Sequence, residues 1–198
     1  LSNYSTDLFQ PIIKQIETIS AASYKTDPVP FQVISDHVRM LCFAISDGAL
    51  PSNEGRGYVL RRILRRAARY GRMINMSEPF IFELVSSVGD VMGDTFPEVI
   101  YKKLHIEKII KSEELSFNDT LDRGLSHFKK VIKNVSGKKV SGADAFKLYD
   151  TFGFPLDLTE LMAREKGLVV DVKGFDREMN HQKKRAKGSD NFVADVTN

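Results

Sequence analysis

Apolar residues recur at intervals of three and four through most of the sequence, the spacing that lines one face of a helix. Over residues 6–20, Leu8, Phe9, Ile12, Ile13, Ile16 and Ile19 keep this spacing. Thr6 is placed to cap the helix, and Pro11 is tolerable in its first turn. Residues 27–30 contain two prolines and break the chain. The next helix, residues 31–46, has Phe31, Ile34, Val38, Leu41 and Ile45 on one stripe and Val33, Met40 and Ala44 on another, so both sides are expected to be covered. Asp47-Gly48 ends it. Pro51, Ser52, Asn53 and Glu54 then turn the chain into a third helix.

Beyond Asn75 the pattern predicts a helix over residues 77–91. Residues 96–133 read as one long helix or two abutting ones, weak at Gly124 and, from their mixed charges, partly exposed on the surface. Residues 134–139 are turn-rich and make the expected internal boundary, with a hinge near Ser136-Gly137. Ser141 and Asp144 then cap a short helix that carries Ala145, Phe146, Leu148 and Tyr149. Gly153 closes it, Pro155 starts the next, and Lys166-Gly167 ends that one. Residues 168–172 form a short extended piece, residues 175–187 a last basic helix, and residues 188–198 a disordered tail. The expected fold class is all-α: an irregular helical bundle over residues 1–135 and a smaller helical subdomain over residues 136–187.

The third helix changes the picture. It holds Arg56, Arg61, Arg62, Arg65, Arg66, Arg69 and Arg72 with no carboxylate among them. Counting about 100° per residue from Leu60, the arginines from Arg61 onward fall in a sector of roughly 140°. Leu60, Ile63, Leu64, Ala67 and Ile74 lie opposite. A solvated charged face is the plain reading, but such faces mix signs, whereas Arg61/Arg65, Arg62/Arg66 and Arg65/Arg69 repel by about 0.2–0.5 kcal/mol each. Guanidinium also suits bidentate contact with phosphate and stacking on bases. The expected ligand is a polyanion.

Composition narrows this. The chain has 198 residues, 42% hydrophobic and 28% charged, as in an ordinary globular protein. Its net charge is only +3, so outside the arginine segment it is acidic and the basicity is a local footprint. Cys42 is the single cysteine and sits in an apolar helical run, a small buried hydrophobe in a reducing compartment. The four histidines lack metal-ligand spacing. No apolar run approaches the roughly 20 residues of a membrane span, and no secretory signal opens the sequence, so a soluble cytoplasmic protein is expected. It begins at Leu1 rather than methionine, as expected of a piece of a larger protein.

Two long motifs, SDHVRMLCFAISDGALPSNEGRGYVLRRILRRAARYGR at residues 35–72 and AFKLYDTFGFPLDLT at residues 145–159, closely resemble the alanyl-tRNA synthetase family. The opening SNYSTDLFQPII also looks like the segment that leaves that family's catalytic domain. The family is a class II ligase that uses ATP with magnesium to attach alanine to its tRNA through an aminoacyl-adenylate. The resemblance implies that the catalytic motifs lie upstream of Leu1. It implies a zinc-binding editing domain and an oligomerisation domain downstream of Asn198. The chain would then be the helical tRNA-recognition domain, with no catalytic residue or metal site of its own.

In that family an Asn before the arginine helix and an Asp in the later motif read a G·U wobble pair in the acceptor stem, and the matching positions are Asn53 and Asp150. The chemistry suits them. The accessible minor groove of A-form RNA presents the guanine amine; an ionised Asp accepts hydrogen bonds only, and an Asn amide both donates and accepts. Helix capping is the structural alternative for Asn53. Asp150 falls near a helix C-terminus, where its charge opposes the dipole by about 0.3–1 kcal/mol, so a partner elsewhere is expected. Asp36 and His37 are adjacent on a helix and cannot act as a dyad. His37 is structural, or lines the junction with the catalytic domain. Lys183, Lys184, Arg185 and Lys187 either extend the phosphate track or belong to a solvated tail.

The leading expectation is that Arg56, Arg61, Arg62, Arg65, Arg66, Arg69 and Arg72 contact tRNA phosphates while Asn53 and Asp150 read base edges. The partners are then the acceptor stem and the catalytic and editing domains of the same chain. Two alternatives stay open: a generic duplex nucleic-acid module, and an arginine-rich surface that docks on an acidic protein. A membrane role is disfavoured, because no aromatic anchor such as Trp accompanies the arginines.

Overall fold

The computed structural model describes residues 2–135 and 137–194, with side chains as far as Arg185. Among these the fold is all-α, as the periodicity predicts: nine α-helices, two 3-10 turns and one pair of two-residue strands. The chain divides into two compact units, one reaching Asp119 and one starting at Thr120.

The first unit opens with a 3-10 turn, Asn3–Ser5. Thr6 does not cap the helix that follows. Its hydroxyl donates back to the Asn3 carbonyl at 2.7 Å, so α1 starts later and spans Gln10–Ser20. The prolines expected to break the chain instead begin α2 (Pro28–Ser46). Pro28 occupies the first turn, where a missing N–H is harmless, and the Asp27 carboxylate accepts from the Val29 amide. The expected stripe of Phe31, Ile34, Val38, Leu41 and Ile45 is buried to 1% exposure or less. Each such side chain contributes about 1.5–3 kcal/mol of burial. The second stripe is only partly covered, with Met40 exposed. α2 packs against α1, α3 (Gly55–Met73), α4 (Val85–Met92) and α5 (Pro97–Tyr101), which makes it the centre of this unit.

The helix expected over residues 77–91 splits into a 3-10 turn, Ile81–Leu84, and α4. The stretch expected over residues 96–133 divides into α5 and the long α6 (Lys103–Lys133). α6 is not simply a surface helix. Ile106, Ile110, Phe117, Leu121, Phe128 and Val131 are buried along one face, and Glu114 joins them at 1% exposure. Glu114 terminates the backbone of another element: its two carboxylate oxygens accept from the Phe80 and Ile81 amides at 3.1 and 3.0 Å, capping the 3-10 turn. Burial pushes its carboxyl up to about 8.

The division between units falls inside α6, so the last turns of that helix group with the residues beyond the turn at 134–139, where the sequence places the boundary. Ser136, part of the expected hinge, lies outside the described residues. The second unit contains β1 (Lys139–Val140) paired in parallel with β2 (Val169–Val170), together with α7 (Gly142–Phe152), α8 (Leu156–Arg164) and α9 (Val172–Ala194). Ser141 caps α7 by accepting from the Asp144 amide at 3.0 Å. Gly153, at φ 68°, ends it. Gly142 lets α7 cross α9 closely, since a Cβ there would lie 2.2 Å from the Gly174 carbonyl carbon. Gly124 does not interrupt α6; it leaves room for the Phe154 ring, 2.3 Å from where a Cβ would stand. α9 runs to Ala194, past residue 188 where the tail is expected to begin. Residues 195–198 lie outside the described residues.

Candidate nucleic-acid interface

α3 is the arginine helix; Leu60, Leu64, Ala67 and, just past its end, Ile74 are buried as expected, while Ile63, expected with them, is half-buried. Its opposite side is not the open guanidinium face that the sequence predicts. Glu113, from α6, reaches across to it. One Glu113 oxygen lies 2.9 Å from both Arg61 Nε and Arg65 Nη2, and Arg61 Nη2 donates to the other at 3.0 Å. The pairs are shielded, with side-chain exposures of 20% and 15% for the arginines and 10% for the glutamate. Expecting a face unneutralised from within the molecule is therefore incorrect for Arg61 and Arg65. The cause is a carboxylate 48 residues beyond Arg65 in the chain, invisible to i,i+4 counting.

The remaining arginines differ among themselves. Arg56, in the first turn, is exposed. Arg62 is half-buried and stacks over Tyr58, 5.7 Å from the ring centre. Arg66 is half-buried beside His37. Arg69 is buried at 8% exposure against the Tyr70 ring, 5.0 Å from its centre. The Arg72 guanidinium donates to the Met76 carbonyl. Arg65 lies 5.1 Å from the centre of the Phe117 ring, and burial lowers the stability of its charged form. Of the seven, Arg56 is exposed, Arg69 is buried and the others are half-buried.

Asn53 stands exposed in the turn before α3. It does not cap α3; the cap position is Glu54, which makes no side-chain cap bond. Arg61 Nη1 instead donates to Asn53 Oδ1. The turn is held on the helix by Gly57, where a Cβ would fall 2.2 Å from the Leu50 carbonyl oxygen and from Ser52 Oγ. A groove of about 380 Å³ opens beside the turn, lined by Leu50, Pro51, His105, Lys108, Ile109, Ser112 and Glu113.

In the second unit Asp150 is exposed in the last turn of α7, two residues before its end. Its Oδ1 accepts a hydrogen bond from Nε2 of Gln182 on α9. Lys183, Lys184 and Arg185 are exposed on the same helix, and the Lys187 side chain lies outside those described. Asp36 accepts a hydrogen bond from the Tyr4 hydroxyl at 2.5 Å, and burial with the nearby Arg66 charge pushes His37 down to about 4. His37 is a neutral, mostly enclosed side chain and no partner of Asp36 in acid–base work. Cys42 is buried, its thiol pushed up to about 12 by desolvation.

Glu113, Glu114 and Gln182 are the residues that the sequence reading missed. The signal for Glu114 was present: it occupies a core position in the α6 stripe between Ile110 and Phe117. Among the described residues no group of His, Cys, Asp or Glu could hold a metal ion, and no helix is long and apolar enough to cross a membrane.

The chain belongs to the family described as tRNA synthetases class II (A), whose pattern matches residues 1–197. It is 53% identical over 192 residues to the alanine–tRNA ligase of Halalkalibacterium halodurans, covering 94% of this chain and 22% of that protein. It is 52% identical over 194 residues to the alanine–tRNA ligase of Bacillus subtilis, covering 95% of this chain and 22% of that one. The chain therefore spans about a fifth of the length of these relatives. The match places residues 1–197 in the class II synthetase region, and not in a separate recognition domain as the motifs suggest.

Proposed function

We propose that this chain is the part of an alanine–tRNA ligase that reads the tRNA acceptor stem, in a parent enzyme that attaches alanine to tRNA with ATP in the cytoplasm. The observation that carries the reading is Asn53. It is exposed, it is not used as a helix cap, and its amide oxygen is already taken by Arg61, so its Nδ2 donors remain for an outside acceptor. Asp150 complements it as an exposed acceptor suited to the guanine amine.

The seven arginines share the phosphate role unequally. Arg56 is the principal phosphate contact, and the half-exposed Arg62 and Arg66 follow. The helix N-terminus beside Arg56 adds favourable amide dipoles for an anion. Arg61 and Arg65 act first within the protein, through Glu113. Arg69 and Arg72 anchor α3. The same internal pairing disfavours the alternative in which the whole arginine face docks on an acidic protein surface.

The test is a titration with acceptor-stem minihelices that carry either a G·U or a G·C pair, at two salt concentrations. Arg56→Ala is expected to weaken both complexes alike and flatten the salt dependence. Asp150→Ala is expected to remove discrimination worth roughly 1–3 kcal/mol. An unchanged ratio in Asp150→Ala rejects the base-reading role, and equal affinity for unrelated duplex RNA favours a generic module.

A further inference from the structure

The arrangement around Asn53 contains an ordered relay of charged side chains that reaches into the core of the first unit. Arg65 lies against the Phe117 ring at 5.1 Å, with a side-chain exposure of 15%. It grips Glu113, its Nη2 and Nε standing 2.9 and 3.2 Å from the same carboxylate oxygen. Glu113 in turn holds Arg61 by one hydrogen bond, from Nη2 at 3.0 Å, and by charge, with Arg61 Nε 2.9 Å from its other oxygen but not hydrogen-bonded to it. Arg61 has one terminal nitrogen left in this plane, Nη1, and it donates to Asn53 Oδ1. A planar guanidinium tied to a carboxylate by one hydrogen bond and a close charge contact is restricted in its swing, which sets the direction of its remaining nitrogen.

An amide side chain can turn over and exchange its donor and acceptor ends. With Arg61 fixed, only one orientation of Asn53 is favourable, since the flipped amide would set its own N–H groups against the guanidinium donors. We propose that Glu113 is a positioning residue for RNA recognition: through Arg61 it locks the Asn53 amide as a hydrogen-bond donor toward the ligand. This deepens the acceptor-stem reading above and rests on it. The class of group that Asn53 then accepts as partner is an oxygen or nitrogen acceptor on the nucleic acid, such as a pyrimidine O2 or a ribose 2′-hydroxyl, and not an exocyclic amine. Arg61 is by this account an orienting residue, and Glu113 never touches RNA.

A double-mutant cycle on the full 198-residue chain tests it, read as the ratio of affinities for the G·U and G·C minihelices. Asn53→Ala is expected to reduce this ratio by about tenfold. Glu113→Gln, which keeps size and a hydrogen-bonding end but loses the charge that grips both arginines, is expected to reduce it about three- to fivefold, and Glu113→Asp by less. In the Asn53→Ala background Glu113→Gln should change the ratio no further, because the side chain it acts through is gone. A purely structural role for Glu113 predicts a loss of affinity for both stems with the ratio intact, which overturns the relay. So does an equal fall of the ratio in both backgrounds. If Asn53→Ala alone leaves the ratio unchanged, the acceptor-stem reading itself fails, a result that the Glu113 variants cannot produce. Since a weakened fold can mimic lost binding, each variant is compared by circular dichroism and thermal midpoint. Arg61→Lys adds a second route: a lysine keeps the charge but not the fork, and should lose the ratio as Glu113→Gln does.

Discussion

The two proposed base-reading residues are held by opposite means. Asn53, in the first unit, is the tip of a shielded ion network whose carboxylate and guanidinium groups are 10–20% exposed. Asp150, in the second, is an exposed carboxylate steadied by one neutral amide from Gln182. In the first unit, charges are placed inside the fold, where they are expensive to leave unmatched; in the second, fold and site residue are nearly independent. The first unit's site should therefore move with stability and pH, while the second unit's should be altered with little effect on folding.

The largest expected difference is in pH dependence, and it arises from the neighbour of Glu113. Burial pushes Glu114 up to about 8 in the folded protein, against about 4.3 for an unfolded glutamate. The folded state thus binds the proton more tightly, so the contribution is fully present below the unfolded value and is lost as pH rises toward about 8. The slope is at most about 1.4 kcal/mol per pH unit within that window. Urea unfolding of the chain at about pH 5 and about pH 8, beside Glu114→Gln, measures it. The variant is expected to be the flatter of the two, and equal slopes would remove Glu114 from the account.

Next in size is Glu113→Ala. It leaves Arg61 and Arg65 close together without the carboxylate that separates them, and destabilisation of about 3 kcal/mol is expected from breaking a largely enclosed pair. Asp150→Ala in the same assay should stay within about 0.5 kcal/mol of the parent, as for an exposed substitution. Comparable losses from the two would erase the contrast between the units.

How much of this was legible follows the range of the interactions. The α2 stripe, the Ser141 cap, the Gly153 stop and the position of Asp150 in the last turn of its helix all depend on residues a few positions apart, and periodicity and cap chemistry reach that far. Thr6 was misplaced because its hydroxyl turns back to Asn3, a local competitor to capping. The start of α2 was missed because prolines were read as breakers and not as first-turn residues. The arginine face was misjudged for a different reason. Its partner lies on α6, and no spacing rule links residue 61 to residue 113. A face of like charges in sequence asks equally for an outside polyanion or an inside carboxylate, and only the fold distinguishes the two.

The smallest predicted effect tests the other half of the comparison. Gln182→Ala removes a single hydrogen bond to an exposed carboxylate, an interaction with a net worth of about 0.5–1.5 kcal/mol where sheltered and less in water. Unfolding stability should therefore hardly change. Asp150 has two oxygens and about four acceptor sites, of which Gln182 occupies one. Its loss thus leaves the acceptor intact but free to rotate, and the G·U preference should fall by about twofold without vanishing. Gln182→Glu should do more, because a second carboxylate beside Asp150 replaces a donor with repulsion and also weakens phosphate approach near Lys183 and Lys184. If Gln182→Ala instead unfolds the second unit as readily as Glu113→Ala unfolds the first, then Asp150 is held by the fold and not merely carried on it, and the two sites are built alike.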